Sequence, residues 1–173
     1  GTPCPDHHLP SVDGKKLRLA DLASAKAVVV MFLCGHCPYV QAIEERVVAL
    51  AHEFTSRGVA FVAICSNDAS DYPEDSPGEL FTRWREKNYG FPYLIDESQD
   101  VARAFGAVCT PDLYVYDGGR KLCYRGRLDD SWRNPDKVQR RELAEALESL
   151  LKNQAISAVQ NPAMGCSLKW KKG

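Results

Sequence analysis

Residues 27–40 run Ala27-Val28-Val29-Val30-Met31-Phe32-Leu33-Cys34-Gly35-His36-Cys37-Pro38-Tyr39-Val40. The first seven are apolar and rich in β-branched side chains, a run short enough for a buried strand. Beyond Pro38, the residues Val40, Ile43, Val47, Leu50 and Phe54 recur at steps of three and four, the spacing of one helix face. Cys34 and Cys37 therefore fall where a strand passes into a helix. Across the first turn of a helix, two sulfurs at that spacing come within bonding reach. A helix N-terminus leaves amides unpaired and carries partial positive charge, which favours a thiolate over a thiol. The thiolate is the attacking species in disulfide exchange.

Downstream, Gly58 ends the helix and Val59 to Cys65 forms a second apolar run, buried on both faces. Strand, helix, strand in that order implies parallel pairing. Ser66 to Asp75 is a polar loop bearing Asn67, Asp68, Asp71 and Asp75, at the strand end where α/β sites gather; solvated surface is its plainer reading. Ser76-Pro77-Gly78-Glu79 predicts a capping box with proline in the first turn, and Leu80, Phe81 and Trp84 supply the inward face. Tyr93 to Asp96 predicts a short strand and Gln99 to Phe105 a helix stopped by Gly106. Leu113 to Tyr116 and Lys121 to Tyr124 flank a glycine turn as an antiparallel hairpin. Val138, Leu143, Leu147, Leu150 and Leu151 mark a closing helix. Upstream, Pro3, Pro5 and Pro10 exclude a helix, and Asp13-Gly14 predicts a hairpin between Leu9–Val12 and Lys16–Leu19. The expected architecture is α/β, a central mixed β-sheet flanked by helices on both faces, with an N-terminal β-hairpin. Residues 1–152 form the domain, and 153–173 a C-terminal tail that packs on it, with Trp170 as its anchor.

Composition narrows the functional classes. A chain of 173 residues with 45% hydrophobic content can bury a real core. A formal net charge of -1 gives no pull toward nucleic acid or an anionic membrane, so neither is expected as a partner. No apolar run approaches the roughly 18 residues that span a bilayer. The seven cysteines are an odd number, so at least one stays free or pairs outside the chain. A core of this size needs no disulfide framework, and working thiols suit a reducing compartment. A cytoplasmic location is expected, or a periplasmic or exported one if a signal peptide has been trimmed ahead of Gly1.

Together, the strand–Cys-x-x-Cys–helix junction and the stretch Cys109-Thr110-Pro111 before Leu113-Tyr114-Val115-Tyr116 resemble the thioredoxin superfamily. Within it, Cys37-Pro38-Tyr39-Val40, Gly106 to Asp112 and Gly165-Cys166-Ser167-Leu168-Lys169-Trp170 resemble peroxiredoxin-like proteins of the alkyl hydroperoxide reductase and thiol-specific antioxidant branch. The resemblance covers nearly the whole chain and implies a thioredoxin-like fold. It implies that Pro111 is cis and faces the dithiol, and that Thr110 offers its backbone to an extended substrate by β-augmentation. Two departures stand out. Leu33 replaces the tryptophan that precedes the first cysteine in thioredoxins, and Val28 replaces their buried aspartate. The peroxidatic Pro-x-x-x-Thr-x-x-Cys motif is missing, since Met31 and Cys34 stand where its threonine would be.

Cys34 and Cys37 are the expected catalytic pair, with Cys34 as the more exposed attacking thiol and Cys37 as the resolving one. His36 as an imidazolium would favour the Cys34 thiolate, and Gly35 would leave room for a substrate chain. Cys109, beside Thr110, is a third redox thiol, a substrate contact or a packed small hydrophobe. Cys166 is a possible extra redox thiol that would resolve Cys34 or exchange with Cys109 if the tail folds back. Cys65 and Cys123 belong to the core. Glu44 and Glu45 either carry protons or face solvent. The expected function is thiol–disulfide exchange with a disulfide-containing protein or a small thiol such as glutathione, with thioredoxin a possible reductant and no cofactor. One alternative is a thiol peroxidase acting through a Cys34 sulfenic acid. The other is an interaction module or a Cu(I) or Zn(II) module, the metal held by Cys34, His36 and Cys37, with His7 and His8 joining if the hairpin folds over.

Overall fold

The computed structural model describes residues 1–22 and 24–172. In chain order, β1 (His8–Pro10) and β2 (Lys16–Arg18) form the N-terminal hairpin, and β3 (Ala27–Phe32) leads to α1 (Pro38–Thr55). Then come β4 (Val59–Cys65), α2 (Pro77–Glu86), β5 (Tyr93–Ile95), α3 (Asp100–Phe105), the short β6 (Cys109–Thr110), β7 (Asp112–Tyr116) and β8 (Leu122–Gly126). The chain closes with α4 (Glu142–Leu151) and a two-residue strand in the tail, β9 (Cys166–Ser167).

The central sheet has the order β5-β4-β3-β7-β8. β3 lies parallel to β4 and antiparallel to β7, so the sheet is mixed. Both neighbours hydrogen-bond β3, and every residue of that strand is buried. The period of two divides its side chains cleanly. Ala27, Val29 and Met31 join α1, Leu80 of α2 and Leu143 and Leu147 of α4 in one core. Val28, Val30 and Phe32 meet Val101, Ala102 and Phe105 of α3 in the other. Helices thus cover both faces, the thioredoxin-like arrangement. The carboxyl end of β3, where the chain turns into α1, is the natural place for a site.

Local expectations met the backbone unevenly. Gly14 takes φ +87 in the hairpin turn and Gly58 takes φ +91 after α1, left-handed values that glycine adopts without a Cβ penalty. Ser76 does occupy the N-cap of α2 with Pro77 behind it, but its side chain makes no capping bond. Val138 lies outside α4, in extended backbone after a turn of 3-10 helix, so the closing helix begins later than its apolar residues suggested. Glu44 is buried rather than solvated, because Arg83 donates to it at 2.6 and 2.9 Å and the Tyr89 hydroxyl adds a third bond. Glu45 is exposed.

Candidate active site

The strand–helix junction puts the two cysteines in a tight, closed turn. The Leu33 amide still donates to Ile64 of β4 at 3.0 Å, so Cys34 leaves the sheet at its edge of order. Cys37 is the N-cap of α1, and Pro38 sits in the first turn, where a missing amide hydrogen costs nothing. The Thr110–Pro111 peptide opposite is cis. Cys34 Sγ lies 3.3 Å from Thr110 Oγ1, and Cys37 Sγ lies 3.4 Å from the Thr110 carbonyl oxygen.

The tail covers this pair. β9 pairs antiparallel with β6, setting Cys166 opposite Thr110 and Ser167 opposite Cys109. Cys166 Sγ comes within 3.0 Å of Cys37 Sγ. A Cβ on Gly165 would stand 2.3 Å from the Thr110 carbonyl oxygen, so only glycine permits that approach. Leu168 enters the second core, its amide donating to Val108 at 2.8 Å. The Lys169 amide donates to Asn67 Oδ1 at 2.8 Å, and its carbonyl accepts from Gln99 Nε2 at 2.9 Å. Leu168, not Trp170, is therefore the anchor: Trp170 is 40% exposed and lies under the Arg103 guanidinium.

From the other side the loop after β4 presents Asp75, whose side chain is fully buried. Its Oδ1 accepts from the Gly35 amide at 2.6 Å and the His36 amide at 3.0 Å. Its Oδ2 meets His36 Nδ1 at 2.5 Å and Asn67 Nδ2 at 3.0 Å. The His36 ring stacks on Tyr72 with centroids 4.1 Å apart. Gly35 has a different reason from the one expected. A Cβ there would stand 2.3 Å from the Glu74 carbonyl oxygen, so the room it leaves is filled by this loop and not by a substrate chain.

Both sulfurs are consequently out of contact with solvent, each residue 0% exposed, and the expectation of a more exposed Cys34 is corrected. The charge also settles elsewhere. The neighbouring Cys34 sulfur, opposed by burial and helped by the Cys166 sulfur and the Val40 and Cys166 amides, lowers the Cys37 pKa to about 4. Cys34 is driven the opposite way by its pairing with Cys37, by burial and by the Asp75 carboxylate. Cys166 is raised to about 11, by burial and then by its bond to Cys37. Cys109, half-buried, is raised by burial and by Asp112. Asp75 takes His36 Nδ1, and the pair lies within 4.8 Å of the Cys34 sulfur.

Cys34, His36 and Asp75 hold one sulfur, one nitrogen and one oxygen within 4.8 Å of one another. This differs from the metal set expected from sequence, because His7 and His8 belong to the N-terminal hairpin, which docks on β5 through the Ser11–Leu94 bridge. Asp75 is already engaged by two amides, His36 and Asn67, and a closed zinc site wants four ligands. Asp75 and Asn67 are the site residues that sequence reasoning undervalued. Their one signal was position, at the carboxyl end of a buried strand.

The model of the AhpC/TSA family matches residues 1–125. The chain belongs to the AhpC/TSA family. Among curated proteins none matches. A solved structure of an uncharacterized conserved protein from Geobacillus kaustophilus is 44% identical, with TM-score 0.94 over 100% of this chain and 93% of that one. A hypothetical protein from Sinorhizobium meliloti is 38% identical, with TM-score 0.93 over 100% of this chain and 95% of that one. Both similarities include the tail. A thiol:disulfide interchange protein of the thioredoxin family from Chlorobium tepidum shares the fold, at 23% identity and TM-score 0.61 over 72% of this AhpC/TSA chain and 83% of its own.

Proposed function

We propose that this AhpC/TSA protein is a thiol–disulfide oxidoreductase that works through the Cys34–Cys37 couple. One observation carries the reading: a buried cysteine pair at a strand–helix junction, both sulfurs in contact with Thr110 of a cis Thr110–Pro111 peptide. Family membership supports thiol redox chemistry at the same level.

The proposed order of attack is the reverse of the one expected from sequence. The direction of the Cys37 shift favours its thiolate, and Cys166, the neighbour of Thr110 on β9, points its sulfur at Cys37. A disulfide entering along that edge would meet Cys37 first. The Cys37 thiolate attacks one substrate sulfur, the substrate S–S bond breaks, and the leaving thiolate takes up a proton. Cys34 then loses its proton and attacks Cys37 Sγ, releasing the second substrate thiol and closing the Cys34–Cys37 bridge. Two electrons pass to the substrate. The His36–Asp75 pair, within 4.8 Å of Cys34, is placed to accept the Cys34 proton. Gln41 Nε2 donates to the Gly35 carbonyl at 2.9 Å and holds the turn while the sulfurs change partners. Thr110 and Pro111 supply the docking edge. Substrates of this reading are disulfide-containing proteins or small disulfides such as that of glutathione, in a reducing cytoplasm, with thioredoxin as a candidate reductant.

A peroxidase route through a Cys34 sulfenic acid is less well supported, since the pairing with Cys37 and burial push the Cys34 thiol up and peroxide chemistry runs through a thiolate. A glutathione-buffer titration with mass-spectrometric mapping tests the main reading. The expected result is a two-electron transition with a bridge at Cys34–Cys37, abolished in Cys34→Ser. Absence of that bridge at every potential, with peroxide consumed, would move the peroxidase forward.

A further inference from the structure

We propose that Cys166 is a third redox thiol, which exchanges with the dithiol inside the molecule to form a Cys37–Cys166 bridge. The inference rests on the dithiol reading above and adds a destination for its disulfide.

Three thiols gather around Thr110. Cys34 Sγ lies 3.3 Å from Thr110 Oγ1, Cys37 Sγ lies 3.4 Å from the Thr110 carbonyl oxygen, and Cys37 Sγ is 3.0 Å from Cys166 Sγ. A disulfide needs the sulfurs at about 2.05 Å, so closing the gap takes about an ångström of movement. The backbone already holds the two residues in place. β9 pairs with β6 in a register that sets Cys166 against Thr110, and Thr110 in turn contacts Cys37. Gly165 permits the close approach, while Leu168 and the Lys169 contacts to Asn67 and Gln99 fix the strand beyond it. Cys109 and Cys34, the partners expected for Cys166 from sequence, are not the sulfurs it meets. Cys109 Sγ instead turns to the Pro111 carbonyl, at 3.9 Å.

The step balances without any outside oxidant. Cys166 loses its proton and attacks Cys37 Sγ of the Cys34–Cys37 bridge. The Cys34–Cys37 bond breaks, and Cys34 leaves as a thiolate that takes up a proton. One disulfide is exchanged for another, and the oxidation state of the protein is unchanged. In the product the tail strand is covalently fastened across Thr110, so the docking edge is shut until the exchange runs backward.

Trypsin separates the two bridges. Cys34 and Cys37 share the peptide 27–46, whereas Cys166 lies in 153–169. Full-length protein would be oxidised with glutathione disulfide, quenched in acid, alkylated and mapped, as wild type, Cys34→Ser and Cys166→Ser. The expected wild-type map contains the internal Cys34–Cys37 bridge together with a cross-linked 27–46/153–169 pair in which Cys34 is alkylated. Cys34→Ser should give the cross-linked pair alone, and Cys166→Ser should lose it completely. A cross-linked pair missing from both wild type and Cys34→Ser, with the Cys34–Cys37 bridge intact, would overturn the third thiol and leave the dithiol standing. A Cys166→Ser protein that forms no Cys34–Cys37 bridge would overturn the dithiol reading, and with it the exchange.

Discussion

Two segments close over the dithiol, and they do it with different chemistry. The loop from Asn67 to Asp75 follows β4 directly and acts through one buried carboxylate, which gathers two turn amides, an imidazole and an asparagine. The tail arrives from the far end of the chain and acts through backbone pairing, one buried leucine and a sulfur. Charge-assisted bonds in a dry site are costly to break and leave unpaired amides behind. Neutral bonds on a two-residue strand are not, and segments of that kind are the ones that open first. The loop therefore serves as the fixed wall of the site and the tail as the movable one.

The contrast can be broken most sharply at Asp75. Asp75→Ala strands the Gly35 and His36 amides, and should cost roughly 3 kcal/mol in urea unfolding. A loss below about 1 kcal/mol would put the loop on the same footing as the tail. The next largest effect belongs to Gly165→Ala, whose Cβ must push away from the Thr110 carbonyl. A cost of about 1–2 kcal/mol is expected, together with roughly tenfold faster alkylation of Cys37 as the tail lifts. Unchanged alkylation would mean that the tail does not gate the sulfur.

A pH series sharpens the same comparison. The folded Cys37 pKa is depressed to about 4, below the ordinary range of a thiol, so between the two the unfolded chain binds more protons at this site. The stability contribution of Cys37 is complete above the unfolded value and is lost as pH falls through about 4. The stability of wild type minus that of Cys37→Ser should therefore rise from pH 5 to pH 8, by at most about 1.4 kcal/mol per unit. A flat difference would place the thiolate elsewhere. The smallest effect is expected at Trp170→Ala, within about 0.5 kcal/mol, because a ring 40% exposed contributes little. A larger loss would restore Trp170 as the anchor.

Much of the fold was legible because its signals are local. The apolar run of β3, the helical spacing from Val40 to Phe54 and the run of β4 each carry their period within a few residues, and together they imply the parallel unit around which the sheet grows. The turn glycines Gly14, Gly58 and Gly106 marked ends that the backbone then used. What stayed hidden depends on contacts between distant segments. A two-residue strand has no period to detect, so nothing in Gly165-Cys166-Ser167 specified pairing with Thr110 or proximity to Cys37 in place of Cys34. Asp75 looked like one of several acids in a polar loop, and only folding shows which of them faces inward. Glu44 sits between apolar helix positions and is buried because Arg83 and Tyr89, on and just beyond another helix, converge on it.

The pairing of β6 with β9 has a further consequence for what this protein can recognise. A strand joined to its own binding edge competes as if present at roughly millimolar concentration. An extended peptide that relies on the Thr110 edge alone must match that figure before it displaces the tail. Selection then favours two kinds of visitor: small disulfides that need little of the edge, and folded partners whose surface makes contacts beyond it.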